Sequence, residues 1–176
     1  MSLKLSDDDF TLFGLQQQHA LDRSALDARR RELQVQVHPD RFAAEGAAAQ
    51  RVAMQWAVRV NEAHARLKDP LSRAAYLCEL RGVAVDADRN TAMPTDFLMQ
   101  QMAWREALDD AAGPSDVQAI DEQVADDERA MQAELTRLLD VRQDTASAAA
   151  QVRALMFIAR FRQDIERRLD ALDIAR

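Results

Sequence analysis

The chain has 176 residues, of which 48% are apolar and 30% charged, with four glycines, four prolines and one cysteine. The single cysteine excludes an internal disulfide framework, while the acidic first residues and the lack of a long apolar run argue against a signal peptide and a membrane span. Helix-forming residue types predominate, so we expect an all-α protein. The lack of a disulfide framework and of a signal peptide predicts that it lies in the cytoplasm.

The net charge of −7 is confined to the second half of the chain. Residues 1–80 carry 11 basic and 11 acidic side chains, so the excess of acids lies in residues 81–176. A nucleic-acid binder must neutralise phosphates, which argues against such a partner for the second half. Together with a poorly periodic stretch after residue 81, the asymmetry predicts two domains, 1–81 and 95–176, joined by a linker over 82–94.

The first long helix is predicted to end abruptly. Leu26, Leu33 and Val37 recur at helical spacing after Asp22, which is a suitable N-cap residue. Because proline disfavours helical backbone at the residue before it, Pro39 predicts that the helix ends at Val37.

Two further helices complete the first half. An amphipathic helix is predicted over 47–68, and the next one begins at Pro70 behind a capping Asp69 and ends at Gly82. The predicted apolar line of the helix over 47–68 consists of Val52, Trp56, Val60, Ala63 and Leu67.

The second half predicts three amphipathic helices with short connections. The first follows a cap at Thr95 or Asp96 and stops at Gly113-Pro114, and Ser115 is a candidate cap for the second. The last two carry apolar residues at spacings of three and four, namely Val117, Ile120, Val124, Met131, Leu135 and Leu138, then Leu155, Ile158, Phe161, Ile165, Leu169 and Leu172. Such stripes can be buried only against one another, so we expect an antiparallel three-helix bundle.

The residues that could carry chemistry are few. His19, His38 and His64 lack the paired spacing of a metal site, and Cys78 between leucines indicates a small buried side chain. We therefore expect no metal, no cofactor and no enzymatic activity. An acid–base pair of His38 and Asp40 is the alternative, but no nucleophile or phosphate-binding loop accompanies it.

The tripeptide His38-Pro39-Asp40 lies between two helices long enough to form an antiparallel hairpin. One interpretation is a simple helix stop. The other is a stiff tip that presents Asp40 to an arginine of a partner protein, through a charge-assisted hydrogen bond.

Four stretches resemble the HscB family of J-domain co-chaperones of iron–sulfur cluster assembly. They are "FTLFGL" (10–15), "HPDRF" (38–42), "VNEAHARLKDPLSRAAYL" (60–77) and "FLMQQMAWREALDD" (97–110). The resemblance extends over essentially the whole chain in the same order. It implies an N-terminal J-domain, a helical hairpin with a His-Pro-Asp loop, followed by the C-terminal three-helix bundle.

The resemblance also implies two partners and the residues that bind them. A DnaK/HscA-type ATPase chaperone would contact the tip, at Arg29, Arg31, His38, Pro39, Asp40 and Arg41. An IscU-type scaffold protein would contact the bundle, at Leu98, Met99, Met102, Glu106, Asp110 and Phe157. Neither nucleotide nor cluster would be held by the chain itself.

The chain departs from the family pattern at several positions. J-domains commonly have an aromatic residue in place of Arg30 and a tyrosine in place of Val37, and they often have lysine or arginine in place of Glu32 and Gln36. A helical wheel leaves only Arg31 of the three consecutive arginines fully on the solvent face, so the basic patch is thin. Ala103 stands where relatives carry a glutamate. A general J-domain co-chaperone with a different client remains the alternative, although the glycine/phenylalanine-rich linker and cysteine-rich module of such proteins are missing from the sequence.

Overall fold

The computed structural model describes residues 4–86 and 93–174, and these residues are arranged in helices joined by short loops. The α-helices in chain order are α1 Asp9–Phe13, α2 Arg23–Val37, α3 Ala47–Lys68, α4 Pro70–Leu80, α5 Thr95–Asp110, α6 Pro114–Thr136 and α7 Thr145–Ile174. A 3-10 helix, Pro39–Glu45, follows α2, and a π-helical segment, Arg137–Arg142, follows α6. The all-α prediction is confirmed. No helix in the described ranges is both long and apolar enough to cross a bilayer.

The chain divides into two compact units, the first ending at Leu77 and the second beginning at Cys78. The last turn of α4 therefore belongs with the second unit, where the Arg81 guanidinium donates to the carbonyl oxygen of Leu139 at 2.8 Å. Of the linker predicted over 82–94, residues 87–92 lie outside the described residues.

The first unit is built around the hairpin of α2 and α3. Leu26 and Leu33 of α2 and Val60 and Leu67 of α3 are buried, as their helical spacing predicts. Asp22 caps α2 by accepting hydrogen bonds from the next backbone amides, and the helix ends at Val37 as predicted. The short helix α1 packs on this hairpin through two buried phenylalanines, Phe10 and Phe13, and adds a third element to the core.

A buried carboxylate fastens α1 to the hairpin. Asp9 is fully buried, and its two oxygens lie 2.7 Å from Arg59 Nη1 and 3.1 Å from Arg66 Nη1. Arg66 also lies over the ring of Tyr76, 4.6 Å from its centroid, and that tyrosine's hydroxyl accepts a hydrogen bond from the Asp9 amide. A buried charge is tolerated only when it is paired in this way. The cluster joins α1, α3 and α4.

The predicted apolar line of α3 is incomplete at its first turns. Val52 is exposed, while its neighbour Ala53 is buried. Here α3 packs on the irregular 3-10 helix rather than on a regular helix face. Val52 lines an open cavity of about 330 Å³, together with Val37 and Phe42, so the predicted apolar line is not buried at this residue.

The second unit contains α5, α6 and α7. Arg162 of α7 pairs with Asp121 and Glu128 of α6, while Gln151 donates to the carbonyl of Met131. Late residues of α7 thus meet early residues of α6, which makes these two helices antiparallel. An aromatic cluster of Phe97, Trp104, Phe157 and Phe161 joins α5 to α7.

Both predicted caps in this unit were wrong. Thr95 is already helical, Pro94 occupies the N-cap position, and neither Thr95 nor Asp96 supplies a side-chain cap. In α6 it is Pro114, not Ser115, that begins the helix, because the fixed φ of proline suits the first helical position. The carboxylate of Asp116 accepts from the amides of residues 112 and 113.

Candidate functional site

The tip of the first unit is formed where α2 changes into the 3-10 helix. His38 has φ −63° and ψ 126°, an extended conformation that the following proline favours. Pro39 then begins the 3-10 helix, which together with Gly46 connects α2 to α3. The local sequence alone is enough to build this corner.

A hydrogen bond joins the ring of His38 to the backbone of Asp40 at the tip. The amide of Asp40 donates to Nδ1 of His38 at 3.3 Å, and Oδ2 of Asp40 lies 3.5 Å from the same nitrogen. The side chains nevertheless remain 58% and 89% exposed, respectively. The hydrogen bond holds the backbone of Asp40, while its carboxylate stays open to an external donor.

The arginines around the tip have different environments. Arg29 Nη1 pairs with Glu32 at 2.8 Å, and Arg41 Nη1 donates to the carbonyl oxygen of Val35 at 3.0 Å. Arg30 is half-buried and donates to Asn61 of α3, as expected for a side chain at the edge of the buried stripe. Arg31 is exposed, in agreement with the helical wheel.

An open groove of about 1010 Å³ lies beside the tip. Its walls include the predicted residues Arg31, His38, Pro39, Asp40 and Arg41. Arg29 is not among them. The groove also includes Val35 and Met54, which are exposed, together with Val37 and Ala57. Sequence reasoning missed Met54, since the facing surface of α3 becomes known only when the hairpin closes.

On α5 of the second unit, three predicted residues form an exposed apolar face. Leu98, Met99 and Met102 are 37%, 69% and 70% exposed, whereas Phe97, Trp104 and Leu108 of the same helix are buried. Glu106 and Asp110 are exposed further along α5. Residues 98, 102, 106 and 110 are spaced by four, so these side chains follow one another along one side of the helix. Ala103 is exposed beside them.

Phe157 differs from the α5 residues because it is partly buried. Its ring packs edge-on against Phe97 with centroids 5.7 Å apart, and it stacks on Phe161 at 6.2 Å. The Arg105 guanidinium lies 5.2 Å from the Phe157 centroid. Arg105 follows Leu98 by seven residues, so both lie on the same side of α5. Phe157 therefore combines a role in the core with partial access from this side.

The other histidines and the cysteine considered from the sequence are buried and contact groups of the protein itself. Nε2 of His19 lies 3.2 Å from the carbonyl oxygen of Pro70, and Nε2 of His64 lies 2.6 Å from Asp27. Burial raises the pKa of the Cys78 thiol to about 11, which keeps it protonated. Among the described residues, no group of three or more His, Cys, Asp or Glu side chains is arranged to hold a metal ion.

Comparisons with known proteins agree with this architecture. A family model described as the HSCB C-terminal oligomerisation domain matches residues 93–166. Co-chaperone protein HscB homologs from Burkholderia multivorans and Burkholderia cenocepacia are each 51% identical to the chain, over 97% of its length and 99% of theirs.

Solved structures show the same fold. Chaperone HscB from Vibrio cholerae matches with a TM-score of 0.84 and 38% identity, over 94% of this chain and 99% of that one. Human co-chaperone HscB also gives a TM-score of 0.84, covering 94% of this chain and 84% of that chain at 22% identity, which supports the fold alone.

The hairpin with its His-Pro-Asp tip and the helical unit that follows define a J-domain co-chaperone. The identity along almost the whole length of the bacterial relatives makes the assignment more specific. The chain belongs to the HscB family, the J-domain co-chaperones of iron–sulfur cluster assembly, and the resemblance seen in the sequence is confirmed.

Proposed function

We propose that the protein stimulates the ATPase of a DnaK/HscA-type chaperone and delivers an IscU-type scaffold protein to it during iron–sulfur cluster biogenesis. The observation that carries the proposal is the presence of two exposed surfaces, one in each unit, at residues where the family resemblance implies partner binding. One is the Asp40 carboxylate at the tip, and the other is the apolar face of Leu98, Met99 and Met102.

At the tip, Asp40 accepts a hydrogen bond from an arginine of the chaperone. Hydrogen bonds to charged groups contribute about 1.5–3 kcal/mol. His38 and Pro39 serve as positioning residues, since His38 accepts a hydrogen bond from the backbone amide of Asp40 and Pro39 begins the 3-10 helix. Arg31 and Arg41 border the same groove and contact acidic or polar groups of the chaperone.

On the bundle, the scaffold protein covers the apolar side chains of α5 and reaches Phe157. Exposed, flexible methionines suit such a surface because they adapt to the partner's shape. Glu106 and Asp110 lie at the edge, where they interact with basic groups of the scaffold. The protein acts in the cytoplasm without a cofactor and is not itself an enzyme.

The test is co-purification from an extract with the tagged full-length chain. Recovery of both a DnaK-type chaperone and an IscU-type scaffold supports the proposal. Recovery of the chaperone with a different client instead favours a general J-domain co-chaperone. Recovery of neither, from protein that is folded by circular dichroism, contradicts the proposal.

A further inference from the structure

The groove beside the tip is lined by two exposed apolar side chains as well as by arginines. Val35 at the end of α2 is 64% exposed and Met54 of α3 is 55% exposed, and both line the groove that contains His38 and Asp40. Single exposed apolar residues are ordinary on protein surfaces. Here two of them, from different helices, line the same groove as Asp40, the residue to which the proposed function assigns chaperone binding.

The cations near this groove are only partly available to a partner. Arg29 is neutralised by Glu32, and Arg30 is turned towards Asn61 of α3. Arg41 keeps its charge but is held on the carbonyl of Val35. Within residues 29–41, all of which the structure describes, Arg31 is the arginine without an intramolecular partner. Steering by a broad positive patch is therefore weak.

The bond from Arg41 to the carbonyl of Val35 also fixes the wall of the groove. It satisfies an acceptor in the last turn of α2 and ties that turn to the 3-10 helix. Val35 is thus presented from a fixed backbone, close to Asp40, whose backbone amide donates a hydrogen bond to Nδ1 of His38. When an apolar side chain of a partner enters this groove, the backbone that forms the groove would therefore lose little conformational freedom.

We propose that this groove receives an apolar side chain of the ATPase chaperone, next to the arginine that meets Asp40, so that docking depends more on apolar contact than on charge. The occupant is the same chaperone surface that approaches the tip, because Val35, Met54 and Asp40 line one continuous groove. The inference rests on the proposed function and adds to it the chemistry of the partner's docking surface.

The inference is tested by titrating the full-length chain against a purified HscA-type chaperone and measuring steady-state ATPase. Val35→Thr with Met54→Gln replaces the apolar groups by polar ones of similar size and helix propensity. We expect the half-saturating concentration to rise about tenfold, as loss of roughly two buried methylene equivalents would cause, with maximal stimulation retained. Each single substitution is expected to raise the half-saturating concentration about threefold. The single variants therefore still test the inference if the double variant folds poorly.

The matched control is Val141→Thr, the same exchange at an exposed valine of the second unit, which should leave the titration unchanged. The second readout is salt dependence. Between about 0.05 M and about 0.5 M salt, where screening of surface charges becomes strong, the wild-type half-saturation should change less than about threefold.

A wild-type titration that weakens steeply with salt, together with a double variant that matches the wild type, overturns this inference alone. Complete lack of stimulation by the wild-type chain would instead overturn the proposed function, and this inference with it. The Asp40→Asn variant separates the two contributions, because it should reduce maximal stimulation rather than only shift the midpoint.

Discussion

Nε2 of His64 donates a hydrogen bond to Oδ1 of Asp27 over 2.6 Å and so links α3 to α2. His64 is buried, and its ring faces Phe13 of α1. The bond from His64, assisted by Arg23, holds the pKa of Asp27 below its ordinary value of 3.8. His64 thus links the two helices of the hairpin that carries the tip.

Asp27→Asn should lower the melting temperature at neutral pH. Because the folded-state pKa of Asp27 is depressed, its stabilisation is present above 3.8 and is lost as the pH falls through the folded-state value. The wild-type and variant melting curves, followed by circular dichroism, should therefore differ near pH 7 and converge in acid. A difference that stays constant down to strongly acidic pH would contradict this account.

Asp40→Asn should reduce stimulation of the chaperone ATPase by about tenfold or more, because the charge-assisted bond is lost. The substitution keeps the shape of the loop, and the side chain is exposed, so the melting temperature should barely change. The measurement is ATPase rate against co-chaperone concentration. Unchanged stimulation would remove the role assigned to the tip.

Purified protein should contain no stoichiometric metal and should not hydrolyse ATP by itself. His19, His64 and Cys78 have separate environments within the described structure, and the Cys78 thiol is protonated at neutral pH. Elemental analysis and a phosphate-release assay on the chain alone provide the check. One zinc or iron per chain would contradict this prediction.

The variant Leu98→Ala/Met99→Ala/Phe157→Ala should weaken binding of the scaffold protein by roughly 2–4 kcal/mol, as loss of apolar anchors does. Calorimetry with a purified IscU-type scaffold measures this. Stimulation of the chaperone ATPase in the absence of scaffold should be retained, because the tip lies in the other unit.

Stability separates the surface role from the core role in that variant. Phe157 packs on Phe97 and Phe161, so Phe157→Ala alone should lower the melting temperature. Leu98→Ala/Met99→Ala/Met102→Ala removes only side chains that are exposed and should melt close to the wild type while still losing scaffold affinity. If this α5 variant unfolds on mild heating, those residues are structural and the proposed surface does not exist.

The boundaries of α2 and α4 were determined by the sequence because local backbone chemistry decides them. Pro39 ends α2 at Val37, Asp22 caps its start, and Pro70 begins α4. Gly82, with φ 80°, adopts the left-handed conformation that terminates a helix. The same reasoning correctly placed the exposed tip, since an extended residue before proline needs no tertiary contact.

What the tertiary structure decided is which side of each element meets another element. Val52 follows the apolar line of α3, yet it is exposed because a 3-10 helix lies where a regular helix face would have covered it. Asp9 looks like a surface acid in sequence, yet two arginines from α3 surround it. Phe157 and Met54 acquire their positions only when distant helices pack. Periodicity specifies a face, but the neighbour that covers or exposes that face is brought by the fold.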